Sequence, residues 1–492
     1  MKFDTVIIGA GLGGLQCAYI LSKHGQNVCV VEKNPQIGGC LQTFKRGQQY
    51  FDTGFHYIGG LSSGQPLYRL FDYFQLLDLP WYQLDTNAFD EVVFGEKSYY
   101  FANGYQQFAD TMSEYFPHER ANLKQYASFL QQVGENIFHI FDNQSTNGVY
   151  NQSLFSLSAY EFLQKSFKDE TLRQVLSGTA LKMELHAETL PLYVFAQINS
   201  SMIQSAWRLR GGGQQIAEAL QQHIENMGGT VLKNAQVIGF DENESGITAA
   251  ILKNGEKIEA RHFISDIHPY ELLNLLVNSK FIRKIYRGRI EKLADSFAMF
   301  TVNCALKKDT IPYLNRNQYI YKTKDVWQIS RHLETTPQGV LISYQTPKDE
   351  NNFTQNIDLL TPVSWSEFAQ WSNSKPMKRA KDYEDLKQQK AEQCIGIASQ
   401  YIPHFRENIT KIYTSTPLTY AYYTGTRQGS AFGIKKDYNN LIYTILTPKT
   451  PVPNLLMTGQ NLTLHGILGV SMTSFFTCSE IIGKINPFEY KK

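Results

Sequence analysis

The residues of this chain best placed to do chemistry sit beside glycines. Gly9, Gly11 and Gly14 form a G-x-G-x-x-G turn that also contains Gly13. Glu32 follows at roughly 20 residues' distance, the spacing at which an acid meets the ribose hydroxyls of a dinucleotide. A second cluster, Phe51-Asp52-Thr53-Gly54-Phe55-His56-Tyr57-Ile58-Gly59-Gly60, sets two proton-carrying side chains, His56 and Tyr57, in a glycine-rich loop. Tyr422 is a third candidate proton donor or gate residue. For each of the three a structural or cofactor-packing role outweighs the catalytic one, because a buried His or Tyr needs only a satisfied hydrogen bond. No metal site is expected: the six cysteines show no CxxC or Cys/His spacing of the zinc or thiol-redox kind.

The elements that must position these residues follow from hydrophobic pattern. Thr5-Val6-Ile7-Ile8 predicts a strand buried on both faces, and Leu15, Ala18, Tyr19 and Leu21 recur at helical spacing behind the glycine turn. Asn27 to Val31 predicts a second strand ending at Glu32. In such a unit the first glycine makes the tight turn, the second lets backbone approach a pyrophosphate, and the third lets the helix lie close on the strand. A carboxylate at Glu32 disfavours NADP, whose 2′-phosphate it repels. Gly38-Gly39 and the loop through Gly54 then interrupt the alternation an NAD domain would continue, which suits backbone running along the longer FAD. Lys33, Gly38, Gly39, Gly54 and His56 are therefore expected cofactor contacts.

The same signature returns later. Gly211-Gly212-Gly213 precedes a helix carrying Ile216, Leu220 and Ile224, and strands follow at Thr230–Leu232, Ala235–Phe240 and Arg261–Asp266, with a hairpin turn at Asn254-Gly255. Val237 is an expected adenine-side contact. Near the carboxyl end Asn454 to Thr458 predicts a strand entering a glycine turn, with Gly459, Gln460 and Asn461 as contacts. Gly466, Ile467, Leu468 and Gly469 then open a last helix whose N-terminus favours negative charge on a flavin. The expected fold is α/β. A discontinuous Rossmann-type FAD-binding domain covers residues 1–60, 206–270 and 450–492, and an inserted α+β substrate-binding domain covers 61–205 and 271–449.

Bulk properties exclude several classes of partner. A formal net charge of +2 creates no field that would gather nucleic acid. Thirteen per cent aromatic residues suits an aromatic-lined cavity, although an aromatic-rich core or an AT-rich genome gives the same excess. Reduced cysteines, the lack of a signal-like start and the lack of a spanning apolar stretch make a cytoplasmic setting the expectation. The segment Glu271–Ile290 alternates leucines and isoleucines with Lys280, Arg283, Lys284, Arg287 and Arg289. It reads as a packed helix with a solvated basic face, and peripheral contact with an anionic bilayer is the alternative.

Over nearly its whole length the chain resembles the phytoene desaturase, carotenoid isomerase and retinol saturase group of FAD-dependent oxidoreductases. The resemblance rests on Gly9–Gly14 with Glu32, on Gly38-Gly39, on Phe51–Gly59, on Gly212-Gly213, on Thr416–Thr419 with Gly429–Gly433, and on Thr458 to Gly469. Asp-Thr-Gly-Phe-His-Tyr-Ile-Gly looks most like the retinol-saturase branch. It implies FAD chemistry on carbon–carbon double bonds of an apolar polyene or isoprenoid-like small molecule, with the electron donor or acceptor left open. Where the group usually has an acid after Thr-Gly-Gln, this chain has Asn461. Two rival readings stand beside it: an amine oxidase-like enzyme with Tyr422 and Tyr423 as aromatic walls, and a lipid-binding escort protein of the same architecture without flavin.

Overall fold

The computed structural model describes residues 2–47, 49–141, 153–333, 336–347 and 352–489. Its first seven-stranded sheet is organised around the strand Lys257–Ser265. One edge of that strand pairs in parallel with the opening strand Lys2–Ile8, from Lys2↔Glu259 to Ile8↔Ser265. On the other edge its first residues hold the antiparallel strand Gly246–Leu252, and its last three hold Leu455–Met457 in parallel. Val28–Val31 and Thr230–Leu232 extend the sheet beyond the opening strand, and Val237–Asn243 closes the hairpin side.

Both faces of this sheet are covered, which is why its strands read as continuous apolar runs rather than alternating ones. Ile7, Val28, Val30, Ile264 and Leu456 point to one face, under the helices Leu12–Lys23, Gln214–Asn226 and Gly466–Ile482. Val6, Ile8, Val31, Phe263 and Leu455 point to the other, against Leu272, Leu273 and Leu276.

The second seven-stranded sheet runs from Ile409–Ser415 through Ala298–Leu306, Asn356–Val363, Gly339–Tyr344, Asn317–Tyr321 and Asp90–Phe94 to Lys97–Phe101. Every pair is antiparallel except Asn317–Tyr321 with Asp90–Phe94. Lys381–Ala398 covers one face by burying Tyr383, Cys394 and Ile397 against Val302, Ile342 and Leu359. A three-stranded piece, Ile58–Gly59, Ala206–Leu209 and Trp81–Gln83, carries the chain between the two bodies. The basic segment is not one helix: it splits into Pro269–Leu275 and Lys284–Glu291, with Leu272, Leu273 and Ile290 buried and Ile285 exposed. Among the described residues no helix is long and apolar enough to cross a membrane.

First and last helices lock together through buried polar groups. Gln16 Nε2 donates to Ser471 Oγ at 2.8 Å, and Ser474 Oγ donates to the Gly13 carbonyl at 3.3 Å. Removing the amide leaves the Ser471 hydroxyl without this partner and opens a void. Gln16→Ala is therefore expected to lower stability by about 2–3 kcal/mol, read as an earlier urea midpoint with native far-UV dichroism. An unchanged midpoint would show that this helix pair is not what joins the two ends of the chain.

Candidate active site

The glycine turn follows the opening strand, and its geometry explains each glycine. Gly9 has φ +98°, its N–H bonds the Val31 carbonyl at 2.9 Å, and a Cβ on Gly14 would overlap the Gly9 carbonyl. Glu32 lies buried at the end of the neighbouring strand. Its two oxygens accept the Ala10 N–H at 3.0 Å and the Asn34 N–H at 2.9 Å, so the carboxylate shapes the turn as well as offering an acceptor. Lys33 Nζ donates to the Tyr422 carbonyl at 3.5 Å. Val237 is buried in the sheet core near Glu32, whose carbonyl binds the Ala235 N–H at 2.8 Å.

A cavity of about 370 Å³ opens between the two sheets. Gly11, Gly13, Gly38, Gly39 and Gly54 line it from the amino-terminal side, joined by His56 and Tyr57. The carboxyl-terminal stretch contributes Gly459, Gln460 and Asn461, then Gly466, Ile467 and Leu468 at the start of the last helix. Leu181, Ile198, Met202, Met299, Leu341 and Leu360 form an apolar wall. Gly9, Gly14, Glu32, Lys33, Val237 and Gly469 are not among the lining residues; Gly469 serves packing, since a Cβ there would overlap the Leu464 carbonyl. Asn461 Oδ1 accepts the Ile434 N–H at 3.1 Å, so this amide already ties two loops together.

Tyr422 requires a correction. It is 53% exposed, Tyr423 is 45% exposed, and neither lines the cavity. On the helix Pro417–Thr424 the residues one turn apart, Tyr420 and Thr424, face inward, which turns the two intervening tyrosines outward. Tyr420 Oη lies 2.6 Å from Thr301 Oγ1 and donates to the Thr53 carbonyl at 3.3 Å. The aromatic walls expected of Tyr422 and Tyr423 are thus absent from the cavity.

Proton-bearing groups concentrate on the apolar side. Tyr57 Oη donates to Asp90 Oδ2 at 2.8 Å and lies 2.6 Å from Tyr319 Oη; because its one proton goes to Asp90, Tyr319 donates to Tyr57. Lys182 Nζ reaches the same Asp90 Oδ2 at 3.3 Å, and Asn317 Nδ2 donates to Oδ1 at 2.8 Å. Burial pulls the Lys182 ammonium below the ordinary lysine range, opposed by Asp90. His465, at the start of the last helix, donates from Nε2 to the Lys182 carbonyl at 3.1 Å. Among the described residues His56 Nε2, which is buried, has no hydrogen-bond partner. No sequence pattern pointed to Lys182 or Asp90, which lie in segments without a motif. Asp266, which also lines the cavity, could have been singled out, since ligands of open α/β sheets bind beyond the carboxyl ends of their strands.

These features fit an elongated flavin dinucleotide. Glycine backbone lines one end of the cavity, the helix Gly466–Ile482 starts there without a side-chain cap, and His56, whose Nε2 has no hydrogen-bond partner among the described residues, borders the same cavity. Fold and site together define an FAD-dependent oxidoreductase. The chain belongs to the flavin containing amine oxidoreductase family, whose model matches residues 12–360. It is 26% identical over 531 residues to the all-trans-retinol 13,14-reductase of Danio rerio, covering 97% of this chain and 86% of that protein. A prolycopene isomerase of an Oncidium hybrid cultivar is 20% identical over 449 residues, covering 87% and 75%. An oxidoreductase from Methanosarcina mazei superposes with a TM-score of 0.64 at 16% identity, over 96% of this chain and 99% of that one.

The histidines make stability pH-dependent. Burial holds His56 and His465 at about 4, with Arg208 adding to the effect on His56. An unfolded imidazole titrates near about 6.5, so their contribution is fully present above that pH and is lost as pH falls toward 4. Asp266, raised to about 7, works in the opposite sense: its cost to stability appears as pH rises above the ordinary carboxylate range. His465→Asn is expected to flatten the acid limb of urea stability between about pH 6.5 and about pH 4. A wild-type acid limb in that variant would remove His465 from this account.

Proposed function

We propose that the protein reduces a carbon–carbon double bond in a long, apolar, conjugated small molecule. The observation that carries this is a buried proton-bearing network, Lys182–Asp90–Tyr57–Tyr319, whose Lys182 and Tyr57 line the cavity beside Leu181, Met299, Leu341 and Leu360. The activities for which the relatives are named, retinol reduction and prolycopene isomerisation, support the same substrate class. When bound and reduced, FAD supplies hydride from N5, and the alkene's second carbon then needs a proton. Lys182 Nζ holds that proton, and Asp90 keeps it aimed. The leucines and methionines exclude water and give a planar hydrocarbon a surface to lie on. Gly11, Gly13, Gly38, Gly39 and the Gly459–Asn461 turn hold the dinucleotide, and the N–H groups opening the last helix favour negative charge on it. Exposed Val277 and Ile285 beside Arg283 and Lys284 suit contact with an anionic bilayer holding such a substrate, checked by co-sedimentation with anionic and neutral vesicles.

The test is anaerobic. Enzyme reduced beforehand is mixed with conjugated polyenes, and return of the oxidised flavin absorbance is followed. Polyenes are expected to reoxidise it, and Lys182→Met to slow that step about 10²- to 10⁴-fold while retaining FAD. Because that variant leaves Asp90 buried without its cation, Lys182→Met with Asp90→Asn is the companion that preserves charge balance. Bleaching of the oxidised enzyme by amines, with no response of the reduced enzyme to any polyene, would sink the proposal. His56→Ala is expected to keep the yellow cofactor and slow turnover; loss of both together would mark His56 as structural.

A further inference from the structure

Asp266 follows directly on the strand Lys257–Ser265, and its carboxyl group reaches into the G-x-G-x-x-G turn of the opening segment. Its Oδ2 lies 2.5 Å from where a Cβ on Gly11 would sit, and Oδ1 lies 2.5 Å from the corresponding positions of Gly13 and Gly459. The backbone N–H groups of Gly14 and Gly11 lie near enough to the carboxyl to draw its pKa down. Those are the donors that such a turn and helix N-terminus offer to a dinucleotide pyrophosphate. A carboxylate and a phosphate oxygen thus claim the same amides in the same space, and two anions there repel each other.

Among the described residues the surroundings supply no cation paired with Asp266 to relieve that repulsion. From the neighbouring strand end comes Glu32, a second carboxylate. The short turn Gly39–Leu41 brings Cys40, whose thiol carries no positive charge. The carboxyl-terminal loop brings Gly459 and the uncharged Asn461. On its own segment His268 is tied to Asp295 at 2.9 Å and to the Tyr270 N–H at 3.2 Å. Among the described residues no Lys or Arg forms an ion pair with Asp266. Burial first, then Glu32, raise its pKa to about 7 against the pull of the Gly14 and Gly11 N–H groups.

We propose that Asp266 is the proton-holding residue of the pyrophosphate subsite, so that FAD binding takes up one proton on its carboxyl group. Neutral Asp266 shares the glycine cradle with the dinucleotide; ionised Asp266 competes with it. This concerns cofactor affinity alone and is independent of which substrate the enzyme uses.

The experiment is serial dilution of the holoprotein at a series of pH values, with released FAD read by its own fluorescence. For wild type the dissociation constant is expected to rise toward tenfold per pH unit between about pH 7 and about pH 9, as one linked proton requires. Asp266→Asn is expected to lose that slope and, at the alkaline end, to hold FAD about tenfold or more tightly than wild type. Should the asparagine variant not fold, judged by far-UV dichroism, Asp266→Ala replaces it and is expected to be equally flat. A wild-type constant that does not change with pH overturns the proposal, as does an undiminished slope in a folded variant. Loss of FAD from a folded Asp266→Asn at every pH also overturns it, since Asp266 would then be a required ligand rather than a competitor.

Discussion

The parallel pairing of Lys257–Ser265 with Lys2–Ile8 on one edge and Leu455–Met457 on the other is the interaction on which the rest of the site depends. Backbone groups of a buried strand need partners on both edges, so this one strand forces segments from the start, centre and tail of the chain to end at the same level. All three then leave the sheet at its carboxyl end, where Gly9, Asp266 and Gly459 meet. Alternation along the paired strands distributes Ile7, Ile264 and Leu456 to one face and Val6, Phe263 and Leu455 to the other. A slip of one residue would exchange these sets, which is why the convergence is specific.

Placing charge beside a large apolar cavity sets the second constraint. Lys182 and Asp90 are nearly inaccessible to solvent, and each is retained because the other is there, with Tyr57 and Asn317 taking up the remaining acceptor positions of Asp90. A proton held this way stays in a fixed place. At the other end of the cavity the balance is less complete, because Glu32 and Asp266 are neighbouring carboxylates and the donors facing them are backbone N–H groups. The two ends therefore respond differently to pH: one is a compensated pair, the other an acid waiting for its cofactor.

The elements that follow local rules were legible before the fold was known. The glycine turn, the strand before it, the acid after the second strand and the helix opening at Gly466 all appear where pattern placed them. Their cause lies within a few residues: positive φ at Gly9, close approach at Gly14, apolar runs for strands buried on both faces. The single helix expected across Glu271–Ile290 became two, because Leu272 and Leu273 turn under the sheet while Ile285 sits on a separate exposed turn.

By itself the sequence determined that a flavin dinucleotide is bound and where the glycine turn, the strands beside it and the last helix begin, since glycine conformation, strand burial and helix starts are short-range properties. Tertiary structure alone decided which side chains face the cavity. Tyr420 looks in and Tyr422 looks out through the rotation of one helix, and Lys182 meets Asp90, Tyr57 and Tyr319 only because four distant segments pack at one point. Such meetings depend on register and packing across hundreds of residues, and spacing along the chain carries no signal of them.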